Sequence, residues 1–449
     1  SFFNLRLAEI LIPKGDVMSA NAQNQNVKRR DFMVAGAATA AATTLTSTVS
    51  ANAADEKLVV AVMGMSRGRS LADTFSKHPE CIVKYVCDVD KTRAERAADE
   101  LEGKVGYRPQ PITTWETFIE DEEVDIVACA APNHWHAPAT IVAAEAGKHV
   151  YVEKPCCQNP WEGEMQIAAA RKNKVCVQIG TQRRSAPTYR EAIDFIHGGG
   201  IGTVHSARCI YFSARGSIGT GKQTDAPEYI DYERWQGPVP RREFQDNLVH
   251  YNWHWVWFYG NGELGNNGIH SLDIARWALD VEFPTTVSST GGRYYFDDDQ
   301  ETPDTQIVSF EFENETQITW QGSSCNRNGS GFVKVFGDNG MVEFLGGGGY
   351  VVYDRLNKEV KRVTGGQGQP EHIDNLIKSI RANDSAGLNA EIEIGHRSTL
   401  LCHLGNISHR VGRILTCDTS NGHILDDEEA MALWKRDYHD GWEDRLTIG

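Results

Sequence analysis

The stretch VDIVACAAPNHWHAPATIVAAEAGKHVYVEKP, residues 124–155, decides the fold class. Val124 to Ala130 is a short apolar run and reads as a buried strand. His136 to Ala146 follows as an Ala-rich helix closed by Gly147, a residue suited to a helix C-cap. His149 to Val152 reads as the next strand, with Glu153-Lys154-Pro155 at its carboxyl end. Strand, helix, strand is a crossover between parallel strands. In an open parallel sheet, ligands bind beyond the carboxyl ends of the strands. Lys154 is therefore placed to approach a bound molecule. Burial or a cationic cofactor ring lowers a lysine pKa and makes the amine usable as an acid or base. The plain alternative is a surface lysine halted by a proline.

The residues upstream repeat the pattern. Leu58 to Met63 is an apolar strand, Gly64-Met65-Ser66-Arg67-Gly68-Arg69 follows, and a helix begins at Ser70. Strand, glycine turn and helix form a dinucleotide-binding arrangement, in which backbone N–H groups and the helix N-terminus take the pyrophosphate. The glycine pattern departs from G-x-G-x-x-G: Ser66 replaces the second glycine and Gly68 arrives one residue early. Cys81 to Cys87 is a second strand and ends at Asp88. An acid there accepts hydrogen bonds from the adenosine ribose and repels the extra phosphate of NADP. NAD is the expected cofactor, with NADP the alternative if Arg67 holds that phosphate.

On these motifs the chain resembles the Gfo/Idh/MocA oxidoreductase family, over nearly all of its length beyond residue 56. The resemblance implies that Lys154 is catalytic. It also implies that the loop Pro132-Asn133-His134-Trp135-His136 borders the nicotinamide, which brings Pro132, Asn133, His136 and Glu153 into the cofactor site. The family motif Asp-x-Gly-x-His-x-x-Asp corresponds to Asn266-Asn267-Gly268-Ile269-His270-Ser271-Leu272-Asp273. His270 is thereby a second catalytic candidate. An amide cannot take a proton as a carboxylate can, so Asn266 is expected to orient substrate hydroxyls.

Length and composition are consistent with this reading. The chain has 449 residues, enough for two domains, and bears a net charge of −16. Residues 1–53 carry five Lys/Arg and three Asp/Glu, so the remainder bears −18. Without a basic patch, binding to nucleic acid or to anionic membranes is not expected. Arg29-Arg30 precedes an Ala- and Thr-rich run, Met33 to Ser50, that ends in Ala51-Asn52-Ala53. This reads as a twin-arginine signal with an A-x-A cleavage site. Met18 is the preferred start, and residues 1–17 read as upstream extension. The run is too polar for stable membrane insertion. The expected organisation is a leader at 1–53, a Rossmann NAD-binding domain at 54–180, and a substrate and oligomerisation domain at 181–449. The fold class is α/β, with the second domain α+β and built on a large, mostly antiparallel open sheet. A homo-oligomer, dimer or tetramer, is expected.

Other features point to a carbohydrate. Gln182-Arg183-Arg184 follows the last predicted Rossmann strand, where Gln182 and Arg183 can meet a carboxylate or sugar hydroxyls. The alternative is a solvated hinge. The run Tyr251-Asn252-Trp253-His254-Trp255-Val256-Trp257-Phe258-Tyr259 is dense in aromatics, which stack on the C–H faces of sugars. Trp253 and His254 are therefore candidate substrate contacts, although such a run also suits a core plug. Residues 214–244 form a long polar segment rich in Gly and Pro, a length associated with function or disorder. His396 and His403 fall on one face of an apolar helix and read as structural. The ten cysteines lie mostly in apolar strand-like runs and read as small hydrophobes. Histidines could be assembled into a metal site, but no H-E-x-x-H motif is present and no metal is expected. The expected function is an exported, NAD-dependent oxidoreductase acting on a sugar or glycoside hydroxyl. Two alternatives stand beside it: an NAD-dependent glycoside-cleaving enzyme working through transient oxidation, and a non-catalytic sugar- or cofactor-binding protein.

Overall fold

The computed structural model describes residues 56–327 and 331–449. The leader assigned to residues 1–53 lies outside the described residues. The first layer is a six-stranded parallel sheet of β1 (Leu58–Met63), β2 (Cys81–Cys87), β3 (Gln110–Ile112), β4 (Ile126–Cys129), β5 (His149–Val152) and β6 (Val177–Ile179), in the order β3-β2-β1-β4-β5-β6. Its strands are nearly continuous apolar runs because helices cover both faces. The helices are α1 (Gly68–Lys77), α2 (Lys91–Val105), α3 (Glu116–Glu120), α4 (Asn133–Glu145) and α5 (Pro160–Asn173). The strand order reverses between β1 and β4, which opens the crevice expected of a doubly wound sheet.

The chain then passes through α6 (Pro187–His197) into a nine-stranded sheet. Its strands are β7 (Val204–Phe212), β8 (Thr286–Gly292), β9 (Thr305–Glu311), β10 (Gln317–Ser323), β11 (Val333–Gly337), β12 (Gly340–Phe344), β13 (Tyr350–Asp354), β14 (Glu359–Val363) and β15 (Leu415–Thr416). The order is β14-β13-β12-β11-β7-β10-β9-β8-β15. The sheet is antiparallel except at its centre, where β7 lies parallel to β10. That pair is the parallel exception in the mostly antiparallel sheet that the sequence leads one to expect. One face is packed by α6, by α8 (Ile269–Leu279) and by α10 (Ile392–Val411), with Trp320, Phe310, Leu272 and Leu404 in the core. On the opposite face, Arg208 and Ile307 are exposed. The remaining helices are α7 (Tyr232–Gln236), α9 (Gln369–Ala382), α11 (Glu428–Met431) and α12 (Trp442–Leu446). No described helix is long and apolar enough to cross a membrane.

The nucleotide-binding layer is not one continuous segment. Ile373, Leu376, Ile377 and Ile380 of α9 join Leu58, Val60, Leu71 and Phe75 in a single core cluster. Leu446 of α12 is buried among Trp115, Trp135 and Ala137. The carboxyl-terminal part of the chain thus completes the first layer, which a division at residue 180 does not convey. The apolar faces of α9 and α12 had to be covered, and the sheet of the first layer supplied the surface.

Candidate active site

A cavity of about 490 Å³ runs along the carboxyl ends of β1, β2, β4 and β5. Its floor is the glycine turn. Gly64 has φ +91°, and a Cβ there would stand 2.5 Å from the Ala130 carbonyl oxygen, so only glycine lets β1 and β4 lie side by side at this point. Ser66 and Arg67 line the cavity. The amino end of α1 lies beside the cavity and has no side-chain cap. Gly68 does not line the cavity, contrary to the sequence reading. Its N–H donates to the Gly64 carbonyl (3.1 Å), and a Cβ would meet Val62 and Met65 at 3.1 Å, so it serves close helix–sheet packing.

Asp88 lies at the adenosine end. Its Oδ2 accepts the Met65 N–H (2.7 Å) and its Oδ1 the Asp90 N–H (3.0 Å), while Arg93 Nε is 3.5 Å away. Asp90 caps α2 and lies 2.9 Å from His250 Nε2. The long segment after β7 closes over this end: Lys91 N–H donates to Tyr229 O, and Asp231 N–H to Val89 O. Arg234 and Trp235 of α7 line the cavity beside Trp135, whose indole N–H donates to the Trp235 carbonyl (3.0 Å). His134 Nε2–H donates to the same carbonyl (2.7 Å), and burial drives its pKa down to about 3. Arg67, the residue that could have favoured NADP, is instead engaged at the other end. It pairs with Glu153 (2.9 Å) and donates to Gln369.

The Lys154 end holds the two candidate acid/base residues. Lys154 Nζ donates to the Asn266 carbonyl (2.7 Å) and to Asn266 Oδ1 (3.3 Å). Burial pulls the Lys154 pKa below the ordinary lysine value, against the opposing pull of Glu153. His270 lines the same cavity, and its ring makes no hydrogen bond among the described residues. Burial, reinforced by the cations Arg183, Lys154 and Arg67, holds its pKa well below the ordinary histidine value, so the ring is neutral near pH 7. Asn266 and His270 reach the cavity through one local device. Leu264 to Gly268 is a π turn at the start of α8, the kind of insertion that re-aims side chains at functional sites. Behind it Glu263 is buried, bonded to Ser324 Oγ (3.0 Å) and Asn267, and burial raises its pKa.

Pro132, Asn133, His136, Trp253, His254 and Gln182 all line this cavity. Asn133 Nδ2 donates to Asn261 Oδ1 (2.8 Å). Both ring nitrogens of His136 face carbonyl oxygens, of Pro155 (2.5 Å) and Ala131 (2.8 Å). The His254 ring stacks on Trp253 with centroids 3.6 Å apart. Arg183 does not reach the cavity. It donates to the Gly346 carbonyl (3.0 Å) and lies over the Phe332 ring, so it braces the second domain rather than meeting ligand. Arg184 is also withdrawn, paired with Asp273 at 2.9 Å. Among the described residues, no three His, Cys, Asp or Glu side chains converge as a metal site. Sequence reading missed Arg93, Arg234, Trp235, His250 and Gln369. Of these, only His250, by its place beside the aromatic run, carried a local signal.

These observations fit a nicotinamide dinucleotide: a glycine-only turn, an uncapped helix end, an acid after β2 and a desolvated lysine after β5. Comparison with known proteins agrees. Residues 58–181 match the model described as "Oxidoreductase family, NAD-binding Rossmann fold", and residues 211–444 match "Oxidoreductase family, C-terminal alpha/beta domain". The chain is similar to an uncharacterized oxidoreductase, YrbE, of Bacillus subtilis, at 25% identity over 64% of this chain and 73% of that one. It is also similar to scyllo-inositol 2-dehydrogenase (NAD(+)) of Bacillus subtilis, at 30% identity over 46% of this chain and 49% of that one. Among solved structures, aldose-aldose oxidoreductase from Caulobacter crescentus shares the fold, with TM-score 0.63 and 20% identity over 80% of this chain and 100% of that one.

Proposed function

Since the chain belongs to the Gfo/Idh/MocA family of oxidoreductases, with an NAD-binding Rossmann domain, we propose that it oxidises a hydroxyl of a sugar, polyol or glycoside, with Lys154 and His270 handling the proton. The observation that carries this reading is the pairing in one cavity of a half-buried lysine and a neutral histidine which, among the described residues, lack a direct carboxylate partner and a hydrogen-bond partner respectively. NAD, when bound, supplies the acceptor for the hydride that leaves the carbinol carbon. The protein's part is to hold the substrate hydroxyl and remove its proton. His270 accepts a hydrogen bond from the hydroxyl or a neighbouring one, and Asn266 fixes the Lys154 amine from behind. The neutral amine takes the proton as the C=O bond forms, and the positive charge of an oxidised cofactor ring favours that neutral amine. Trp253 and Tyr251 supply aromatic faces for the apolar side of a sugar.

The clasp of residues 229–231 on residues 89–91 supports a second reading. A cofactor shut beneath it is suited to chemistry that returns the hydride before release. Oxidation acidifies the adjacent C–H; a base removes that proton as the leaving group on the next carbon departs with the bonding pair, water adds across the C=C so formed, and return of the hydride with a proton reduces the ketone to the original hydroxyl. The cleaving enzyme would release its leaving group with no net NADH. The test is mass spectrometry of the purified, undialysed protein, followed by a screen of sugars and glycosides for absorbance change of the bound nicotinamide. NADP in place of NAD, or no response to any polyol, would overturn the reading. Export by the twin-arginine route and homo-oligomerisation belong to the same proposal. Replacing Arg29 and Arg30 with Lys should leave uncleaved protein in the cytoplasm, and sedimentation should report a dimer or tetramer. Unchanged export of the double variant would refute the twin-arginine route, and a monomer would refute the assembly.

A further inference from the structure

We propose that the chain carries a second small-molecule site, separate from the cofactor cleft, that binds a hydroxylated oxyanion such as a sugar acid or a sulfated or phosphorylated sugar. The site is a cavity of about 590 Å³ between the 257–261 loop, the end of α10 and residues 432–437. It lies on the other side of the 250–261 loop from the cofactor cleft and shares no lining residue with it. Two of its arginines, Arg242 and Arg410, have no carboxylate or hydrogen-bond acceptor for their guanidinium groups among the described residues. Each rests on an aromatic ring of the same loop: Arg242 is 3.5 Å from the Phe258 centroid and Arg410 is 5.5 Å from that of Trp257. Stacking orients a guanidinium plane and leaves its N–H edge free.

Among the described residues no carboxylate is in direct contact with either guanidinium, although Glu301 lies near enough to Arg410 to attract it. Glu301 accepts the Trp257 N–H at 2.7 Å, Lys435 is paired with Glu443, and Asp437 lies exposed at the rim. In a chain with 61 Asp and Glu against 45 Lys and Arg, two unpaired arginines around one concavity stand out. The deeper wall is also unsatisfied. Asn406 is buried and donates to the Asn261 carbonyl (2.9 Å), but its Oδ1 has no partner. Arg436 donates to the His134 carbonyl (3.0 Å) and pairs with Glu162 (2.5 Å), yet its Nε and Nη1 are buried without partners. Buried polar atoms of this kind are ordinarily satisfied, and a polar molecule held against this wall would give them partners. Guanidinium edges call for an oxyanion, which they meet in forked geometry. The Asn406 oxygen calls for a donor, which a hydroxyl supplies.

The test is calorimetric titration of the full chain with glucuronate, glucose 6-sulfate, glucose 6-phosphate, neutral glucose and inorganic sulfate. It is repeated on the Arg242→Ala/Arg410→Ala double variant and on Arg355→Ala, a surface control away from both cavities. Both targeted arginines are exposed and make no hydrogen bond, so the fold should persist, as a melting curve would verify. The expected result is saturable binding of at least one hydroxylated oxyanion, weaker in added salt. The affinity should fall tenfold or more in the double variant, as loss of charge-assisted hydrogen bonds entails, and be unchanged in Arg355→Ala. Preference for the uronate or for an ester identifies the oxyanion. Binding of neutral glucose equal to that of its acids, binding unaffected by the double variant, or no binding up to about 10 mM would overturn the site.

Discussion

Lys154, half-buried at the cleft, and Arg184, buried, are two cations near the junction of the layers, and the molecule treats them in opposite ways. Arg184 Nε contacts both oxygens of Asp273 at 2.9 Å, and Ser398 Oγ donates to the same carboxylate at 2.7 Å. Lys154 is given only the carbonyl and amide oxygens of Asn266, while its neighbour Glu153 is committed to Arg67. A carboxylate in direct contact fixes the charge of its partner. Neutral dipoles do so more weakly, and burial then shifts the balance toward the uncharged amine. One cation is a fastener, and the other is the one proposed above for proton transfer. Charge alone does not separate them; the chemical nature of the acceptor and the opening of Lys154 on the cleft do.

The comparison is broken most directly at Lys154. Lys154→Met keeps the side-chain length and removes the base. Turnover should fall by about 100-fold to 10,000-fold, the contribution of a positioned acid or base, with fold and most nucleotide binding retained. His270→Ala should also slow turnover, and the double variant should be less than additive if both groups act on one proton. Single-turnover hydride transfer measures each. Near-normal transfer in Lys154→Met would move the active-site assignment elsewhere.

Asp273→Ala tests the other member. Leaving Arg184 buried without its partner should cost about 3–5 kcal/mol of stability. Denaturant unfolding should show the loss, and Lys154→Met should show little of it. A stable Asp273→Ala protein with abolished turnover would mean that the fastener takes part in the chemistry.

How much of this was legible follows the same division. Gly64, Asp88 and Lys154 stand at the ends of strands whose apolar runs announce them, so local sequence located them. Arg183 and Arg184 also follow a strand, but they occupy a 3₁₀ turn in which neighbouring side chains diverge. Neither direction is encoded in the dipeptide, and both turned away from the cavity. The lid over the adenosine end was less legible still. Residues 214–244 have no hydrophobic period to read, and the contacts that seat them on the first layer are with residues 100 or more positions distant, as in Trp235 with His134 and Trp135. The mostly antiparallel character of the second sheet was legible, yet the insertion of β7 between β10 and β11 is a long-range pairing that no local pattern specifies. The placement of α9 on the first layer is of the same kind.

The Asp88 end sharpens the contrast, because there a carboxylate is largely satisfied by backbone N–H groups before any ligand arrives. Asp88→Ala should weaken NAD binding by about 1.5–3 kcal/mol, the value of charge-assisted hydrogen bonds. NADP should lose far less, or gain, since Arg93 would be freed beside the ribose. Equilibrium titration with both nucleotides distinguishes this from a general loosening of the glycine turn, which would weaken both equally.

The smallest expected effect is a displacement along the pH axis, and it tests the argument about acceptors at its source. In the proposed reaction, oxidation requires the neutral amine of Lys154. Its rate should therefore rise with pH and level off above the Lys154 pKa, which burial places below the ordinary 10.5. Asn266 Oδ1 is 3.3 Å from that amine. Asn266→Asp changes a neutral acceptor into a charged one of the same shape, and so gives Lys154 the kind of partner that Arg184 already has. An opposite charge at that distance favours the ammonium form and raises the pKa. The rising limb of the pH–rate profile for oxidation should move to higher pH by about one unit or more, which is about tenfold in rate on the rising limb. Sugar reduction, which needs the ammonium as proton donor, should extend its range upward by the same amount. If the profile stays in place while the maximal rate falls, Asn266 acts on substrate rather than on Lys154, and the two cations differ for some reason other than the charge of the group that holds them.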